Sequence, residues 1–230
     1  MTEPHVPRLS VDIVSDVMCP WCIIGWLKFE KVMAHFEGRL AFRVQWHPFE
    51  LNPDMPPEGE DAAAHVMRKY GISADQSRAN SGRLADIARE LGFAFNRGPE
   101  FRMRNSFDAH RLLTWAGALE EPEQAAATGV QTALKLALFR AHFTDNRDVS
   151  DHTVLADVAA SVGLDRARAA AILAGDDYGE MVRVEEAYWA DQNVTGVPAF
   201  ILGGRMMVPG AQDPDMFIRV IESKVLAAAA

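Results

Sequence analysis

The chain contains two cysteines, Cys19 and Cys22, and they enclose Pro20 and Trp21. Two thiols at this spacing form a redox motif when a strand precedes them and a helix follows them. Residues 9–15 have the pattern of a buried strand, and a helical pattern begins at Pro20. A helix N-terminus favours a thiolate, and such placement lowers a cysteine pKa from about 8.5 into a range of about 3.5–7.5. We therefore predict that Cys19 is the attacking thiolate and that Cys22, one turn further along, resolves the mixed disulfide.

A cysteine pair can also serve as part of a zinc site or as a structural disulfide. Structural zinc requires four ligands, usually from a second Cys/His pair, whereas the seven histidines of this chain occur singly. A purely structural disulfide between Cys19 and Cys22 would close a very short loop, and short loops gain least from a crosslink. Both roles are less favoured than redox chemistry, and no metal site is predicted.

Composition excludes several classes of partner. The formal net charge is −9 and no basic run occurs, which argues against nucleic acid and anionic membrane surfaces as main partners. The N-terminus lacks the pattern of a signal peptide, and no apolar run reaches about 18 residues. A single reactive cysteine pair fits a reducing compartment. We expect a cytoplasmic protein.

The first sixty residues have the pattern of a strand–helix–strand unit. The motif helix is predicted over residues 20–36. A second strand is predicted over residues 40–47, where Phe42, Val44 and Trp46 alternate with polar neighbours. Four prolines then favour an extended loop over residues 48–60. This loop is the clearest internal boundary of the chain.

Residues 61–192 are predicted to be helical and free of strands. Glycines mark expected helix C-termini at Gly71, Gly92, Gly117, Gly163 and Gly175. Ser73 and Gln76 have capping-box spacing, Pro122 suits a first helical turn, and Ser150 is the predicted N-cap of a helix over residues 151–162. The apolar positions Val130, Leu134, Ala137, Leu138 and Ala141 indicate one buried helix face. Trp46, Trp115 and Trp189 are interpreted as core aromatics.

Strand signals return after residue 198. Two strands, residues 199–202 and 205–208, are expected to form a hairpin around the two-residue turn Gly203–Gly204, and a last helix is expected over residues 214–225. The two end portions each lack enough elements to bury a sheet, so they should share one mixed sheet. The prediction is an α/β fold in which residues 1–60 and 193–230 form one discontinuous domain and residues 61–192 form an inserted helical domain.

The segment Val197–Pro198 is the second candidate part of the site. Proline has no N–H to donate to a central strand ladder, and a cis Val–Pro bond costs only about 0.5–1 kcal/mol over trans. We predict a cis bond facing the cysteines, with the backbone of Val197 free to pair with an extended substrate by strand addition. The alternative is an ordinary proline at the start of a strand.

Five motifs, in order along nearly the whole chain, resemble the FrnE-type branch of the DsbA family: residues 16–22 (DVMCPWC), 46–53 (WHPFELNP), 105–111 (NSFDAHR), 195–198 (TGVP) and 210–212 (GAQ). The resemblance implies a thioredoxin fold with a helical insertion, a thiol–disulfide active site and a cis-proline loop beside it. The same superfamily contains kappa-class glutathione transferases and 2-hydroxychromene-2-carboxylate isomerases, which carry a serine-type site where this chain has Cys19. Retention of both Cys19 and Cys22 favours a protein-disulfide oxidoreductase, with a glutathione-dependent isomerase or transferase as the alternative and a non-enzymatic zinc or scaffold protein as the least favoured class.

Four further residues are candidates for tuning or binding. Asp16 could hold a proton for Cys22 or raise a thiol pKa by repulsion, and strand-end capping is equally favoured. Asn105 and His110 could approach the site, although an N-cap and a packed helix residue are the simpler roles. Gln212 precedes the last helix, whose N-terminus could receive an anion, although capping by Asp213 is favoured. No bound cofactor is predicted; glutathione or another thiol is the candidate redox partner, the substrates are thiol- or disulfide-containing proteins or small thiols, and the protein is a monomer or homodimer.

Overall fold

The computed structural model describes residues 6–98, 100–120 and 129–226 of the chain. A strand–helix–strand unit is followed by a series of helices that includes one pair of two-residue strands, and then by a hairpin and a helix. In chain order the elements are β1 Arg8–Ser15, α1 Pro20–His35, β2 Ala41–Pro48, β3 Glu60–Asp61, α2 Ala62–Tyr70, α3 Ala74–Glu90, β4 Arg102–Met103, α4 Phe107–Ala118, α5 Val130–Phe143, α6 His152–Ser161, α7 Arg166–Ala174, α8 Gly179–Asp191, β5 Ala199–Leu202, β6 Met206–Pro209 and α9 Pro214–Val220, which continues as a π-helical segment Ile221–Leu226.

The central sheet joins the two ends of the chain. Its strand order is β2-β1-β5-β6. Strand β2 lies parallel to β1, as expected after the crossover through α1, whereas β5 runs antiparallel to β1 and pairs Phe200 with Ile13. The predicted mixed sheet and the thioredoxin-like α/β fold class are therefore confirmed.

Aromatic packing holds α1 and α9 on the sheet. The rings of Phe29, Phe200 and Phe217, here called the three-ring cluster, have centroids 5.3, 5.3 and 5.0 Å apart. All three side chains are fully buried. Rings at these separations add attraction beyond the apolar area that they bury. The cluster thus fixes the middle of α1, about two turns beyond Cys22, against the first part of β5.

A second apolar core lies among α4, α5, α6 and α7. It includes Leu134 and Leu138 from the predicted apolar face of α5, and it also takes in Val17 and Met18 from the segment just before the cysteines. Helices α4 to α7 thus pack against the segment that leads into the cysteine motif. The domain limits at residues 60 and 192 stay a prediction.

In the described part of the chain, no helix is both long and apolar enough to cross a membrane.

Several local predictions hold in the structure. Ser73 and Gln76 form both hydrogen bonds of a capping box at the start of α3. Trp46, Trp115 and Trp189 are buried. Gly71 is the left-handed C-cap of α2. Pro122 lies outside the described residues.

Other local predictions are wrong. Residues 61–192 are not free of strands, because Glu60 and Asp61 pair antiparallel with Arg102 and Met103; a two-residue strand is too short to produce a sequence period. Gly117 lies inside α4 and does not end it.

The predicted cap of α6 and the predicted hairpin turn also differ from the structure. The N-cap of α6 is Asp151, whose carboxylate accepts from Val154 N, while the hydroxyl and amide of Ser150 bond to Asp148. The β5–β6 turn has three residues, since Leu202 pairs with Met206.

Candidate active site

The start of α1 presents the two cysteines. Cys19 is the N-cap and Pro20 occupies the first turn, where a missing N–H costs nothing. The amide of Cys22 donates to the carbonyl of Cys19 over 3.1 Å. Both cysteines are free thiols and both are buried, with exposed fractions of 4% for Cys19 and 1% for Cys22. Trp21, by contrast, is 43% exposed, so the turn between the sulfurs faces solvent.

The loop before β5 lies directly against Cys19. The Val197–Pro198 peptide bond is cis, and Cys19 Sγ donates to the Val197 carbonyl oxygen over 3.6 Å. Gly25 permits this approach: a Cβ built on it would lie 3.1 Å from Cγ of Pro198 and 3.3 Å from the ring of Phe200. Sequence reasoning missed Gly25, although a glycine in the interior of a helix is itself a signal of close packing.

The two thiols interact, so that ionisation of one is favoured and ionisation of the other is opposed. A hydrogen bond with Cys22, together with burial, raises the pKa of the Cys19 thiol well above its ordinary value. Burial also works against ionisation of Cys22, but the hydrogen bond from Cys19 and the positive charge of Lys135 outweigh it and lower the pKa of Cys22. A buried cation on the Cys22 side of the motif thus favours a negative charge on Cys22 in the reduced pair, and the role of Cys19 as the attacking thiolate stays a prediction.

Lys135 is the main residue that sequence reasoning missed. It belongs to α5, it is fully buried, and its Nζ donates to the backbone oxygen of Ser15 over 3.3 Å. The sequence signal was a lysine between the buried positions Leu134 and Leu138 of the apolar face of α5. Lysine is almost never fully buried unless it has a partner, so a lysine on this helix face indicates a buried charge with a partner.

Asp16 and His110 meet behind the motif. Asp16 is fully buried and accepts from the amides of Met18 and Leu51 over 3.0 and 2.7 Å. The Nε2 atom of buried His110 lies 3.7 Å from Asp16 Oδ1. Burial raises the pKa of the Asp16 carboxyl, but His110 and the two amides outweigh it and lower that pKa. Asp16 thus ties the motif to the following loop as a carboxylate, and its negative charge adds to the raised pKa of Cys19.

The remaining candidates lie away from the sulfurs. Asn105 accepts from Phe107 N over 2.9 Å just before α4, but the N-cap of that helix is Ser106. Gln212 is bonded to Pro209 O over 2.8 Å. Asp213 is the N-cap of α9, as predicted, but its carboxylate makes no capping bond and pairs with Lys28 over 2.6 Å.

A groove of about 1080 Å³ opens beside Cys19. Cys19, Trp21 and Val197 line one side of it, and side chains of α2 and α3 line the other. Apart from Asp61, the charged side chains that line the groove are basic, and its lining includes Val66, Met67, Tyr70, Ile72, Leu84, Ile87, Lys69, Arg78, Arg83 and Arg97. A sulfur at the wall of such a groove is reached by an extended or small substrate.

Comparisons with known proteins identify the family of this chain. A model of the DSBA-like thioredoxin domain matches residues 10–222. A crystal structure of probable DsbA oxidoreductase SCO1869 from Streptomyces coelicolor is 33% identical, with a TM-score of 0.81 over 93% of this chain and 88% of that one. The curated "Uncharacterized protein YwbO" of Bacillus subtilis is 25% identical over 94% of this chain and 97% of its own length.

A third similarity concerns the fold alone. The cytosolic disulfide reductase DsbM from Pseudomonas aeruginosa, solved with GSH, is 19% identical with a TM-score of 0.61 over 94% of this chain and 99% of that one.

The family match spans most of the chain and includes both cysteines. The chain therefore belongs to the DSBA-like thioredoxin domain family, and it is an enzyme of the disulfide oxidoreductase class.

Proposed function

We propose that Cys19 and Cys22 form a dithiol–disulfide centre of the FrnE-type branch, which exchanges disulfides with proteins or small thiols in the cytoplasm. The observation that carries this proposal is the position of Cys19 at the groove wall, 3.6 Å from the Val197 carbonyl oxygen. An extended substrate can pair with that backbone while its sulfur approaches Cys19. Cys22 lies behind Cys19 and resolves the intermediate.

The exchange proceeds in two displacements. Transfer of the shared proton from Cys19 to Cys22 along their hydrogen bond makes Cys19 the thiolate. Cys19 then attacks a substrate disulfide, one substrate sulfur leaves as a thiolate, and a mixed disulfide remains. Cys22, once deprotonated, attacks Cys19 Sγ and expels the second substrate thiolate. The substrate gains two electrons and the Cys19–Cys22 disulfide forms; the reverse sequence oxidises a substrate.

The basic side chains of the groove favour substrates that carry carboxylates. Lys69 donates to carbonyl oxygens of Leu51 and Asn52, Arg83 donates to Asn80, and Arg97 donates to Ser81. Within the described ranges, none of these three cations is paired with a carboxylate, although the whole chain carries a net charge of −9. We infer that apolar thiols or peptide segments with acidic groups, glutathione among them, are preferred over neutral ones.

Trapping of the intermediate tests the dithiol mechanism. Cys22→Ser should accumulate a mixed disulfide with an oxidised substrate such as glutathione disulfide, visible by mass spectrometry, and Cys19→Ser should not. Reduction of insulin should be lost in both variants. Turnover of 2-hydroxychromene-2-carboxylate with glutathione, unaffected by Cys22→Ser, would instead support the isomerase alternative.

Substrate charge is tested separately with two disulfides. Arg83→Gln combined with Lys69→Gln should raise KM for the anionic 5,5′-dithiobis(2-nitrobenzoate) severalfold and leave KM for neutral bis(2-hydroxyethyl) disulfide unchanged. Added salt should have the same selective effect, because it screens exposed charges. Equal changes for both disulfides would contradict the charge preference while leaving the dithiol mechanism intact.

A further inference from the structure

Lys135 is a buried cation that the two-displacement mechanism does not yet use. Its exposed fraction is 0%, and its one hydrogen bond within the described residues is the 3.3 Å contact with Ser15 O. A buried ammonium without a counter-charge strongly destabilises the folded state. Such a group is retained when a partner of opposite charge offsets that cost, so the anions that act on Lys135 decide its role.

The position of Lys135 is fixed by its own helix. Strand β2 is an edge strand, and the side chain of Gln131 satisfies its outer edge by accepting from Trp46 N and donating to Trp46 O, both over 2.9 Å. Thr132 accepts from the Trp46 indole over 3.0 Å. These bonds set α5 against β2, and Lys135, one turn after Gln131, then lies over the rings of Trp46 and Phe139 at 5.5 and 5.1 Å.

The groups that act on Lys135 come from the redox motif. They are the thiolate of Cys22, then the carboxylate of Asp16, then Cys19, and each favours the ammonium form. Burial outweighs these three groups and lowers the pKa of Lys135 to about 8, so the side chain remains mainly protonated at neutral pH. His110 faces Asp16 on the side of α4. Helix α5 thus brings one positive charge to the buried end of the dithiol.

We propose that Lys135 is the counter-charge of the Cys22 thiolate and that it shifts the redox equilibrium of the pair toward the reduced dithiol. In the reduced protein the Cys22 thiolate balances the ammonium. When the Cys19–Cys22 bond forms, two electrons leave to the substrate and the negative charge on sulfur is lost. Lys135 is then left with Asp16 alone among these three groups. Oxidation of the pair is consequently disfavoured, which makes the enzyme a stronger oxidant. Lys135 acts through Cys22 and is a positioning residue.

Replacement of the charge by an apolar chain of similar length tests this role. Lys135→Met should raise the pKa of the first thiol ionisation by about one unit, measured by ultraviolet thiolate absorbance of the reduced protein. In glutathione redox buffers at neutral pH, the equilibrium constant for reduction of the Cys19–Cys22 disulfide should fall about tenfold, which corresponds to about 30 mV. Lys31→Met, on the exposed face of α1, is the matched control and should change neither quantity.

A structural role would give a different pattern. If Lys135 served only packing, Lys135→Met would change the stability of the oxidised and reduced proteins equally; the counter-charge predicts that the reduced form loses more. Lys135→Gln, which keeps a donor near Ser15 O without the charge, is measured in parallel and serves alone if the Met variant does not fold. A folded variant of either kind whose thiol titration and glutathione equilibrium stay within twofold of the wild type would overturn the proposal. The equilibrium concerns the protein's own disulfide, so this result is independent of which substrate the groove binds.

Discussion

Gly25 offers the sharpest test of how the Pro198 loop is held beside the cysteines. It lies in the interior of α1, and an added Cβ would be 3.1 Å from Pro198 Cγ and 3.3 Å from a ring atom of Phe200. Alanine in place of glycine in a helix interior stabilises by about 1 kcal/mol. Overpacking of a core contact destabilises by about 1–3 kcal/mol. Because Phe200 is locked in the three-ring cluster, the second effect should exceed the first.

The expected result for Gly25→Ala is a net loss of about 1 kcal/mol in the free energy of unfolding, measured by urea denaturation of the reduced protein. Disulfide exchange should also slow severalfold, because the new methyl group pushes Pro198 and with it the Val197 carbonyl that faces Cys19. The matched control is Gly82→Ala in α3, where an added Cβ meets nothing within 4 Å. That variant should gain about 1 kcal/mol.

Two outcomes would refute this reasoning. A gain in stability by Gly25→Ala equal to that of Gly82→Ala would mean that the loop yields without cost. The expected loss of stability by Gly25→Ala, together with unchanged kinetics of disulfide exchange, would mean that the position of the Val197 backbone does not govern the reaction.

Three further predictions concern the scaffold. Phe29→Ala should cost about 3–5 kcal/mol in the free energy of unfolding, because it removes one ring of the three-ring cluster; a loss below about 1 kcal/mol in denaturant melts would show that the core repacks. Burial opposes protonation of His47, but the carboxylates of Asp12 and Glu185 outweigh it and raise its pKa. This stabilisation is therefore fully present below the pKa of His47 in the unfolded chain and is lost as pH rises through its pKa in the folded protein. The free energy of unfolding, measured by denaturation at acid and alkaline pH, should therefore decline as pH rises, and His47→Gln should lack this decline. Ser73→Ala should cost about 1 kcal/mol through loss of the capping box, with faster amide exchange in the first turn of α3; unchanged exchange there would contradict it.

Local sequence determined much of the fold. Alternation of apolar residues predicted β1 and β2, the Ser73–Gln76 spacing predicted a cap, and the two ends of the chain were expected to share a sheet because neither could bury one alone. These features depend on residues that are neighbours in sequence, or on a simple count of elements. The same kind of argument led from Cys19 and Cys22 to disulfide chemistry.

Tertiary structure decided what acts on the sulfurs. Lys135 is more than a hundred positions from Cys22 in the printed sequence, and only the docking of α5 on the edge of β2 brings its charge to the motif. Helix-start reasoning considered only Cys19, whereas that distant charge acts on Cys22, because electrostatic interactions depend on separation in space and on burial. The pairing of β3 with β4 and the approach of Pro198 to Gly25 are likewise long-range contacts that leave no period in the sequence. The sequence thus predicts which atoms react, and the folded structure decides which distant charges lie close enough to act on them.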